Sequence, residues 1–175
     1  MRLELAKKAR KVRMLLLDVD GVLTDGAIIY DSAGQELKAF YVRDGAAIKW
    51  LQRAGLEVAV LSGRTSPPVL VRTKELGIER VIQGEVFKLP AFEKFLGETK
   101  SRLEEIAFIG DDLHDLPVLR RVGLSACPAD AVAEVKKISD YVCKARGGRG
   151  AVREVAELIL KAQRKWVEAT GRYLV

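Results

Sequence analysis

Short apolar runs alternate with helical segments along most of the chain, and this alternation limits the possible folds more than any other feature. The run at residues 14–19 (MLLLDV) is continuously apolar before it reaches its acidic end, as expected for a strand buried on both faces. Similar runs occur at residues 57–61 and 106–109. Strands that alternate with helices form parallel sheets covered by helices on both faces. The sequence therefore predicts an α/β fold with a Rossmann-like, doubly wound parallel sheet.

Turn residues and helix-end signals predict the remaining elements. The turn-rich stretch at residues 31–34 separates two short apolar segments and predicts a protruding β-hairpin over about 27–42. Pro67 and Pro68 suit the first turn of a helix, and Gly77 suits its end. The other predicted helices span residues 46–53, 89–99, 115–122 and 151–170, and the other predicted strands span 80–82, 123–126 and 141–143.

Length and composition predict one soluble domain over residues 1–175, with a C-terminal helix and tail over about 151–175. Hydrophobic residues make up 49% of the 175 residues and charged residues 31%, an ordinary balance for a globular protein. The basic start of the chain lacks the pattern of a secretory signal. Cys127 and Cys143 are not spaced like a metal or redox pair. We therefore expect a cytoplasmic protein with buried free thiols.

The net charge of +6 favours an anionic partner without identifying it. The basic residues near the start of the chain have no aromatic residues interleaved for base stacking. They are expected to form a solvated helix face. The sequence thus predicts neither a nucleic-acid partner nor a membrane partner.

Acidic and hydroxyl residues follow three predicted strands at the point where each strand ends. Asp18 and Asp20 follow the first strand, Ser62 follows the second, and Asp111 with Asp112 follows the third. Ligands of parallel sheets bind beyond the carboxyl ends of the strands, so these side chains are expected to converge. Carboxylate oxygens are the ligands that Mg²⁺ prefers. The predicted metal ligands are Asp18, Asp20 (through its side chain or its backbone carbonyl) and Asp111.

This set of side chains favours phosphoryl transfer through a covalent intermediate. Asp18 would attack phosphorus and form an aspartyl-phosphate. Asp20 would protonate the leaving alkoxide and later activate water. Ser62 would donate a hydrogen bond to phosphoryl oxygens, and Lys88 would balance negative charge in the transition state.

Each residue also has a purely structural interpretation. One Asp before Gly usually caps a turn, and Ser62 or Lys88 alone would be an ordinary turn or surface residue. Two acidic pairs after two buried strands make capping alone a poor explanation. For Asp112 and Asp115, helix capping and a functional role stay equally open. His114 is expected on an exposed turn.

Four segments resemble, in order and spacing, the motifs of the haloacid dehalogenase superfamily over essentially the whole chain. They are DVDGVLTDG (18–26), LSGR (61–64), Lys88 and IGDD (109–112). Phosphatases of that superfamily carry an Asp two residues after the nucleophile, which is Asp20 here. The resemblance therefore implies a magnesium-dependent phosphatase.

Further segments resemble the 3-deoxy-D-manno-octulosonate 8-phosphate phosphatase family: VRDG (42–45), VGLSACPADA (122–131) and GGRGAVREV (147–155). This resemblance implies hydrolysis of that sugar phosphate in lipopolysaccharide biosynthesis, with Gly63, Arg64 and Arg72 binding the substrate. It also implies a homotetramer whose hairpins form a central barrel and whose subunits and C-terminal tails cover neighbouring sites. Phosphatases of nonulosonate 9-phosphates stay an alternative, although Arg64 directly after Gly63 favours the octulosonate family.

The short distance between the first two motifs supports a site covered by a neighbour. Roughly 40 residues separate them, too few for a separate cap domain once the hairpin and a helix are placed. An open site admits water and discriminates poorly among esters. Ile28, Ile29, Phe40 and Tyr41 in the hairpin are candidates for a subunit interface. Packing of these residues against their own domain is the alternative.

Three other functions fit parts of the pattern. A receiver-type domain shares the phosphorylated Asp, acidic pair and Lys, but it lacks an acid two residues after the Asp. A non-catalytic assembly module would not need the complete set of acids. A polynucleotide phosphatase would be expected to carry stacking aromatic residues.

Overall fold

The described part of the chain, residues 3–173 of this computed structural model, is built around a six-stranded parallel sheet. In chain order the strands are β1 (Met14–Leu17), β2 (Ile29–Tyr30), β3 (Glu36–Leu37), β4 (Glu57–Leu61), β5 (Arg80–Ile82), β6 (Ile106–Ile109), β7 (Leu124–Cys127) and β8 (Tyr141–Val142). The sheet has the order β5-β4-β1-β6-β7-β8, while β2 and β3 form a separate antiparallel hairpin. The predicted doubly wound parallel sheet with a protruding hairpin is confirmed.

In the described residues, eight α-helices lie before, between and after these strands. They are α1 (Leu3–Lys11), α2 (Val42–Arg53), α3 (Pro67–Leu76), α4 (Lys88–Thr99), α5 (Leu116–Leu119), α6 (Ala133–Ile138), α7 (Ala151–Ala162) and α8 (Trp166–Thr170). Only the hairpin and α2 form regular structure between β1 and β4, so a separate cap domain is absent from the described chain.

Alternation along the strands gives the sheet two apolar faces. Leu15 and Leu17 of β1 belong to one buried cluster, with side chains from α1, α2, α3 and α7. Met14 and Leu16 belong to the other cluster, with side chains from α4, α5 and α6. Burying one Leu or Val side chain stabilises the fold by roughly 1.5–3 kcal/mol. The two clusters therefore hold the helices on opposite faces of the sheet.

The register of β1 with its two neighbours aligns the carboxyl ends of β1, β4 and β6 at one edge of the sheet. Leu17 of β1 is paired with Val60 of β4 and with Ile109 of β6. Asp18 follows directly after β1, and Ser62 and Asp111 follow β4 and β6 within two residues. The central position of β1 therefore places Asp18 between the other two residues.

The hairpin is shorter than predicted, and its predicted end at residue 42 was wrong. Each hairpin strand has only two residues, and α2 begins at Val42 instead of near residue 46. The helix starts early because the backbone N–H groups of Asp44 and Gly45 already donate to the carbonyl of Tyr41. The buried carboxylate of Asp44 also accepts from the N–H groups of Gly150 and Arg153, which ties this helix start to α7.

The predicted single helix over residues 151–170 is two helices, α7 and α8. Arg164 adopts a left-handed conformation (φ 59°) between them, and the N–H of Lys165 donates to the carbonyl of Leu160. This turn packs Trp166 edge-on against Trp50 of α2, with ring centroids 5.5 Å apart. The last two residues of the predicted tail lie outside the described residues.

Two further differences lie near the end of the sheet. The helix predicted over residues 115–122 is a 3₁₀ turn at Leu113–Asp115 followed by the short α5, because Pro117 is tolerated only in the first turn of a helix. Helix α6 was not predicted, since its six residues are too few to give a clear apolar period.

The basic N-terminal helix and the two cysteines agree with the sequence analysis. The basic helix α1 is solvated on one face, where Lys8 pairs with Asp140 and Lys11 with Glu104. Cys127 and Cys143 are buried and unpaired. None of the helices within residues 3–173 has the length and apolarity needed to span a lipid bilayer.

The loop at residues 147–150 packs directly on the loop that follows β1. The N–H of Gly148 donates to the carbonyl of Val22 at 2.9 Å. A Cβ atom on Gly147 would overlap the carbonyl group of Gly21. Only glycine therefore allows this approach, which fixes the backbone next to the two acidic residues.

We expect Gly147→Ala to lower the free energy of unfolding by about 1–3 kcal/mol, since overpacking against backbone cannot be relieved by a rotamer change. Urea denaturation of both proteins measures this difference. Gly97→Ala is the control, because Gly97 is exposed in α4 and its Cβ would meet open space. That change should stabilise the protein by about 0.5–1 kcal/mol. Equal midpoints for Gly147→Ala and the wild type would contradict the packing argument.

Candidate active site

Asp18 and Asp20 begin the loop at the carboxyl end of the central strand. The N–H of Asp18 still donates to the carbonyl of Ile109 in β6, at 3.0 Å, so the sheet fixes its backbone. The chain then turns tightly, because the N–H groups of residues 22–24 all donate to the carbonyl of Val19. This turn keeps Asp20 beside Asp18 instead of continuing away from the sheet.

Lys88 is the buried cation of the site. It is the first residue of α4, and its Nζ lies 2.7 Å from Asp18 Oδ1 and 2.5 Å from Asp115 Oδ1. Burial alone would favour a neutral amine, but the two carboxylates outweigh it and raise the pKa of Lys88 above its usual value. Lys88 is therefore a permanent ammonium ion held between two carboxylates.

Asp18 is buried and remains ionised. Burial works against its charge, but the imidazole of His114 and the ammonium of Lys88 outweigh burial and hold the pKa of Asp18 below its usual value. His114 Nε2 lies 3.8 Å from Asp18 Oδ2, and contact with this carboxylate raises the pKa of His114. Asp18 is therefore a carboxylate, the form that a nucleophile requires.

Asp111 is the third carboxylate of the site. Its Oδ1 atom is buried and has no hydrogen-bond partner among the described residues. Burial and the charges of Asp18 and Asp115 raise the pKa of Asp111 to about 8. A Cβ on Gly21 would overlap this carboxylate, so the glycine leaves space beside it. A buried carboxylate in this position needs a proton or a cation.

Asp18 and Asp111 could hold a hard divalent cation. Asp18, His114 and Asp115 also have potential ligand atoms within 4.8 Å of one another. The carboxylate of Asp115 is already occupied, since it accepts from Lys88 and from the N–H groups of Asp111 and Asp112. The oxygen that has no partner within residues 3–173 belongs to Asp111, so a cation on the Asp111 side would find a free carboxylate ligand. Two carboxylates there suit Mg²⁺.

A cavity of about 260 Å³ opens above Asp18. It is lined by Asp18, Asp20, Ser62, Gly63, Arg64, Val86 and His114. Pockets that enclose whole small molecules measure roughly 300–1,000 Å³. The cavity therefore fits the phosphate end of an ester better than a complete phosphorylated sugar.

Most of the residues singled out from the sequence meet here, but Arg72 does not. Lys88 and Asp111 lie directly behind the lining residues, in contact with or beside Asp18. Arg72 lies on α3, where it pairs with Glu75 at 2.8 Å and faces the ring of Phe40. It lines a separate cavity of about 410 Å³ between α3 and residues 38–42.

The structure also decides the role of three residues that sequence reasoning left open or undervalued. Asp112 is a cap, since its carboxylate accepts from the N–H of Leu113 at 2.7 Å. Asp115 is not simply a first-turn acid, because it is fully buried against Lys88. His114 is exposed on a turn as expected, yet its imidazole reaches Asp18. Asp115 follows Asp111 by one helical turn, a spacing that was the only sequence signal for its role.

Sequence reasoning missed two charged residues, Glu36 in β3 and Lys38 directly after it. Lys38 contacts Asp20, and Glu36 contacts Lys38 and Arg64. A lysine and a glutamate in a short hairpin give no signal of burial, because charged residues usually lie on the surface.

The raised pKa of Asp111 predicts how stability depends on pH in the absence of metal. Below about pH 4 this carboxyl is protonated in the folded and unfolded chains alike. As the pH rises to about 8, the unfolded chain loses the proton while the folded chain keeps it, so folding stability falls. Asp111→Asn removes this loss. We expect its unfolding midpoint, relative to the wild type, to increase from pH 4 to pH 8 in chelated samples.

Chemical denaturation at several pH values measures this difference, and added Mg²⁺ is the control. At pH 8 the cation should stabilise the wild type by binding the folded state, and it should stabilise Asp111→Asn much less. A difference between the two proteins that stays constant with pH would contradict the assignment of a buried, unpartnered carboxyl.

Comparison with known proteins agrees with this geometry. Residues 69–154 match the haloacid dehalogenase-like hydrolase family. The 3-deoxy-D-manno-octulosonate 8-phosphate phosphatase of Escherichia coli K12 is 47% identical over 94% of this chain and 88% of its own length. The enzyme of the same name from Yersinia pestis is 44% identical over 96% of this chain and 90% of its own length.

A solved structure shows the same fold over its full length. It is the 3-deoxy-D-manno-octulosonate 8-phosphate phosphatase of Moraxella catarrhalis in complex with a magnesium ion, a phosphate ion and the sugar acid KDO. It is 41% identical, covers 99% of each chain and has a TM-score of 0.96. With its ionised Asp18, its buried Lys88 and its relatives of this length and identity, the chain belongs to the haloacid dehalogenase-like phosphatases, in the 3-deoxy-D-manno-octulosonate 8-phosphate phosphatase family.

Proposed function

We propose that this protein hydrolyses 3-deoxy-D-manno-octulosonate 8-phosphate to the free sugar acid and phosphate. The observation that carries the proposal is the ionised Asp18, held by Lys88 at 2.7 Å and placed beside Asp111, whose buried Oδ1 has no partner among the described residues. The names of the relatives that align along nearly the whole chain supply the substrate. The reaction would serve lipopolysaccharide biosynthesis in the cytoplasm, where Cys127 and Cys143 stay reduced.

The first half of the reaction forms a bond between an Asp18 carboxylate oxygen and phosphorus. The bond between phosphorus and the sugar oxygen breaks, and Asp20 gives its proton to that oxygen. In the second half, Asp20 removes a proton from water, and the resulting hydroxide attacks phosphorus. Asp18 is then released as a carboxylate, and phosphate leaves.

The other residues of the cavity stabilise the phosphoryl group. Ser62 is buried at the end of β4, where its hydroxyl can donate to a phosphoryl oxygen. Lys88 fixes Asp18 and adds positive charge close to the transferred group. Fixed donors of this kind act more strongly in a buried site than they would in water.

Asp18, Asp111 and Asp20 would hold Mg²⁺. Asp20 would contribute its backbone carbonyl, because its carboxylate is bonded to Lys38 and is needed for proton transfer. When bound there, such an ion would reduce the repulsion between the Asp18 carboxylate and the anionic phosphate ester.

Substrate recognition is proposed for Gly63, Arg64 and Arg72. Gly63 and Arg64 line the cavity above Asp18, and the planar guanidinium of Arg64 suits a carboxylate. Arg72 lies outside this cavity. Contact between Arg72 and a substrate is therefore proposed to occur at a subunit interface.

A panel of phosphate esters tests the proposed function by measuring released phosphate. We expect the eight-carbon acidic sugar phosphate to have the highest kcat/KM, above a nine-carbon 3-deoxy acid phosphate and above neutral sugar phosphates. Chelation should stop the reaction, and Mg²⁺ should restore it. A neutral sugar phosphate as the best substrate would contradict the proposal.

Asp18→Asn is the control for that panel. It should lower turnover at least about 1,000-fold, because it removes the nucleophile. Its fold should persist, since Lys88 keeps its second partner, Asp115. Comparable phosphate release by the variant and the wild type would exclude Asp18 as the nucleophile.

We also propose that four chains assemble through their hairpins. Ile28, Ile29, Tyr30 and Leu37 are exposed in the single chain, with 44–60% of their surface accessible, whereas Phe40 and Tyr41 are partly buried. Exposed apolar groups that cluster on one element favour an interface. The small cavity above Asp18 is a second reason to expect a neighbour over the site.

Light scattering should give the mass of four chains of 19.3 kDa each. Ile28→Asp should dissociate the assembly, because a charge on the hairpin surface cannot be buried without a partner. Leu3→Asp is the matched control, since Leu3 is apolar and exposed but lies on α1, outside the hairpin and the C-terminal tail. A monomeric wild type would remove the proposed cover of the site.

A further inference from the structure

Lys38, in the stretch between β3 and α2, is a buried cation at the edge of the active site. Its side chain is only 1% exposed, and its Nζ bonds to Oδ1 of Asp20. Its second anionic neighbour is Glu36, with Nζ and Oε1 3.4 Å apart. The hairpin segment thus reaches the proposed general acid through a single lysine.

Glu36 joins this lysine to the loop that follows β4. Its Oε1 accepts from Nη2 of Arg64 at 2.7 Å, and its Oε2 accepts from the hydroxyl of Ser66. The side chain of Glu36 is itself largely buried. One carboxylate therefore connects the hairpin with two residues next to the substrate cavity.

The contacts of Glu36 and Lys38 position the hairpin because its own ladder is too short to do so. Strands β2 and β3 pair through only two residues each and belong to a separate sheet. An isolated two-stranded hairpin has little stability in water. The ionic contacts that attach it to the domain therefore also decide where Lys38 lies relative to Asp20.

Burying a lysine is an energetically unfavourable way to attach a hairpin to a domain. Desolvating an ammonium ion is unfavourable unless its partners are well placed, and an apolar side chain of similar volume often stabilises a fold as well or better. An ammonium group does, however, hold a carboxylate in one orientation through a strong, charge-assisted hydrogen bond. Asp20 is partly exposed and would otherwise change rotamer freely.

We propose that Lys38 is a positioning residue for the general acid Asp20, and that Glu36 keeps Lys38 in place. The bond to Oδ1 fixes the orientation of the Asp20 carboxyl group and leaves Oδ2 to exchange a proton with the leaving oxygen. A displacement of about 1 Å at such a group can reduce the rate roughly 100-fold. This inference rests on the proposed function, because it requires Asp20 to be the acid.

The test compares kcat/KM for two esters that differ in their need for an acid. A phosphate ester of a simple alcohol has a poor leaving group, and an aryl ester such as p-nitrophenyl phosphate has a good one. For both esters, kcat/KM covers the steps up to departure of the leaving group. General acid catalysis contributes about 100- to 10,000-fold, and mainly to the alkyl ester.

Lys38→Met keeps the length of the side chain and removes the charge. We expect kcat/KM to fall at least about 10-fold for the alkyl ester and less than about 3-fold for the aryl ester. Glu36→Gln keeps Lys38 but weakens the contact that holds it in place. The same selective loss of kcat/KM on the alkyl ester should therefore occur, but it should be smaller. Glu36→Gln also keeps the test decisive if Lys38→Met does not fold.

Lys49→Met is the matched control. Lys49 is a partly buried lysine of α2 whose Nζ donates to the carbonyl of Leu76 at 2.6 Å, away from the cavity. Lys49→Met should leave the ratio of kcat/KM for the alkyl ester to kcat/KM for the aryl ester unchanged. Equal losses on both esters with Lys38→Met and Glu36→Gln would show that these residues serve only the fold, and would overturn the inference.

Asp20→Asn separates failure of this inference from failure of the proposed function. A selective loss on the alkyl ester with Asp20→Asn, but not with Lys38→Met and Glu36→Gln, would overturn only the positioning role. Equal losses on both esters with Asp20→Asn would overturn the acid role itself, and the positioning role with it.

Discussion

The buried ammonium group of Lys88 is the interaction on which the rest of the site depends. It lies between Asp18 and Asp115, within 2.7 Å and 2.5 Å of their carboxylates. Without it, two buried carboxylates would face each other, and one of them would bind a proton. With it, Asp18 remains ionised inside the protein, and Asp115 is free to orient the backbone of the loop that carries Asp111.

The single positive charge of Lys88 does not balance the carboxylates of Asp18, Asp111 and Asp115. This excess of negative charge gives the site its tendency to bind a proton or a cation. Asp111 is left with a buried oxygen that has no partner among the described residues. The site is therefore stable as a whole only with a proton or a divalent cation bound there. Gly21 and Gly147 make room for this arrangement, since a side chain on either would overlap a neighbouring group.

The hairpin connects the site with the surface of the molecule. Its exposed apolar residues suit an interface with other chains, while Glu36 and Lys38 bond to Arg64 and Asp20. An assembly formed through the hairpin would therefore act on the same segment that holds the proposed acid. This arrangement accounts for how a domain without a cap can still have an ordered site.

The sequence by itself determined the parallel sheet and the convergence of Asp18, Ser62 and Asp111, because continuous apolar strands and their carboxyl ends are local patterns. Tertiary structure alone decided the partners of the buried charges. Lys38 was not singled out from the sequence, and the role of Asp115 stayed open between capping and function, since burial of a charged side chain depends on distant segments that leave no local pattern. The start of α2 at Val42 and the break between α7 and α8 at Arg164 were likewise set by contacts with other helices and not by propensity.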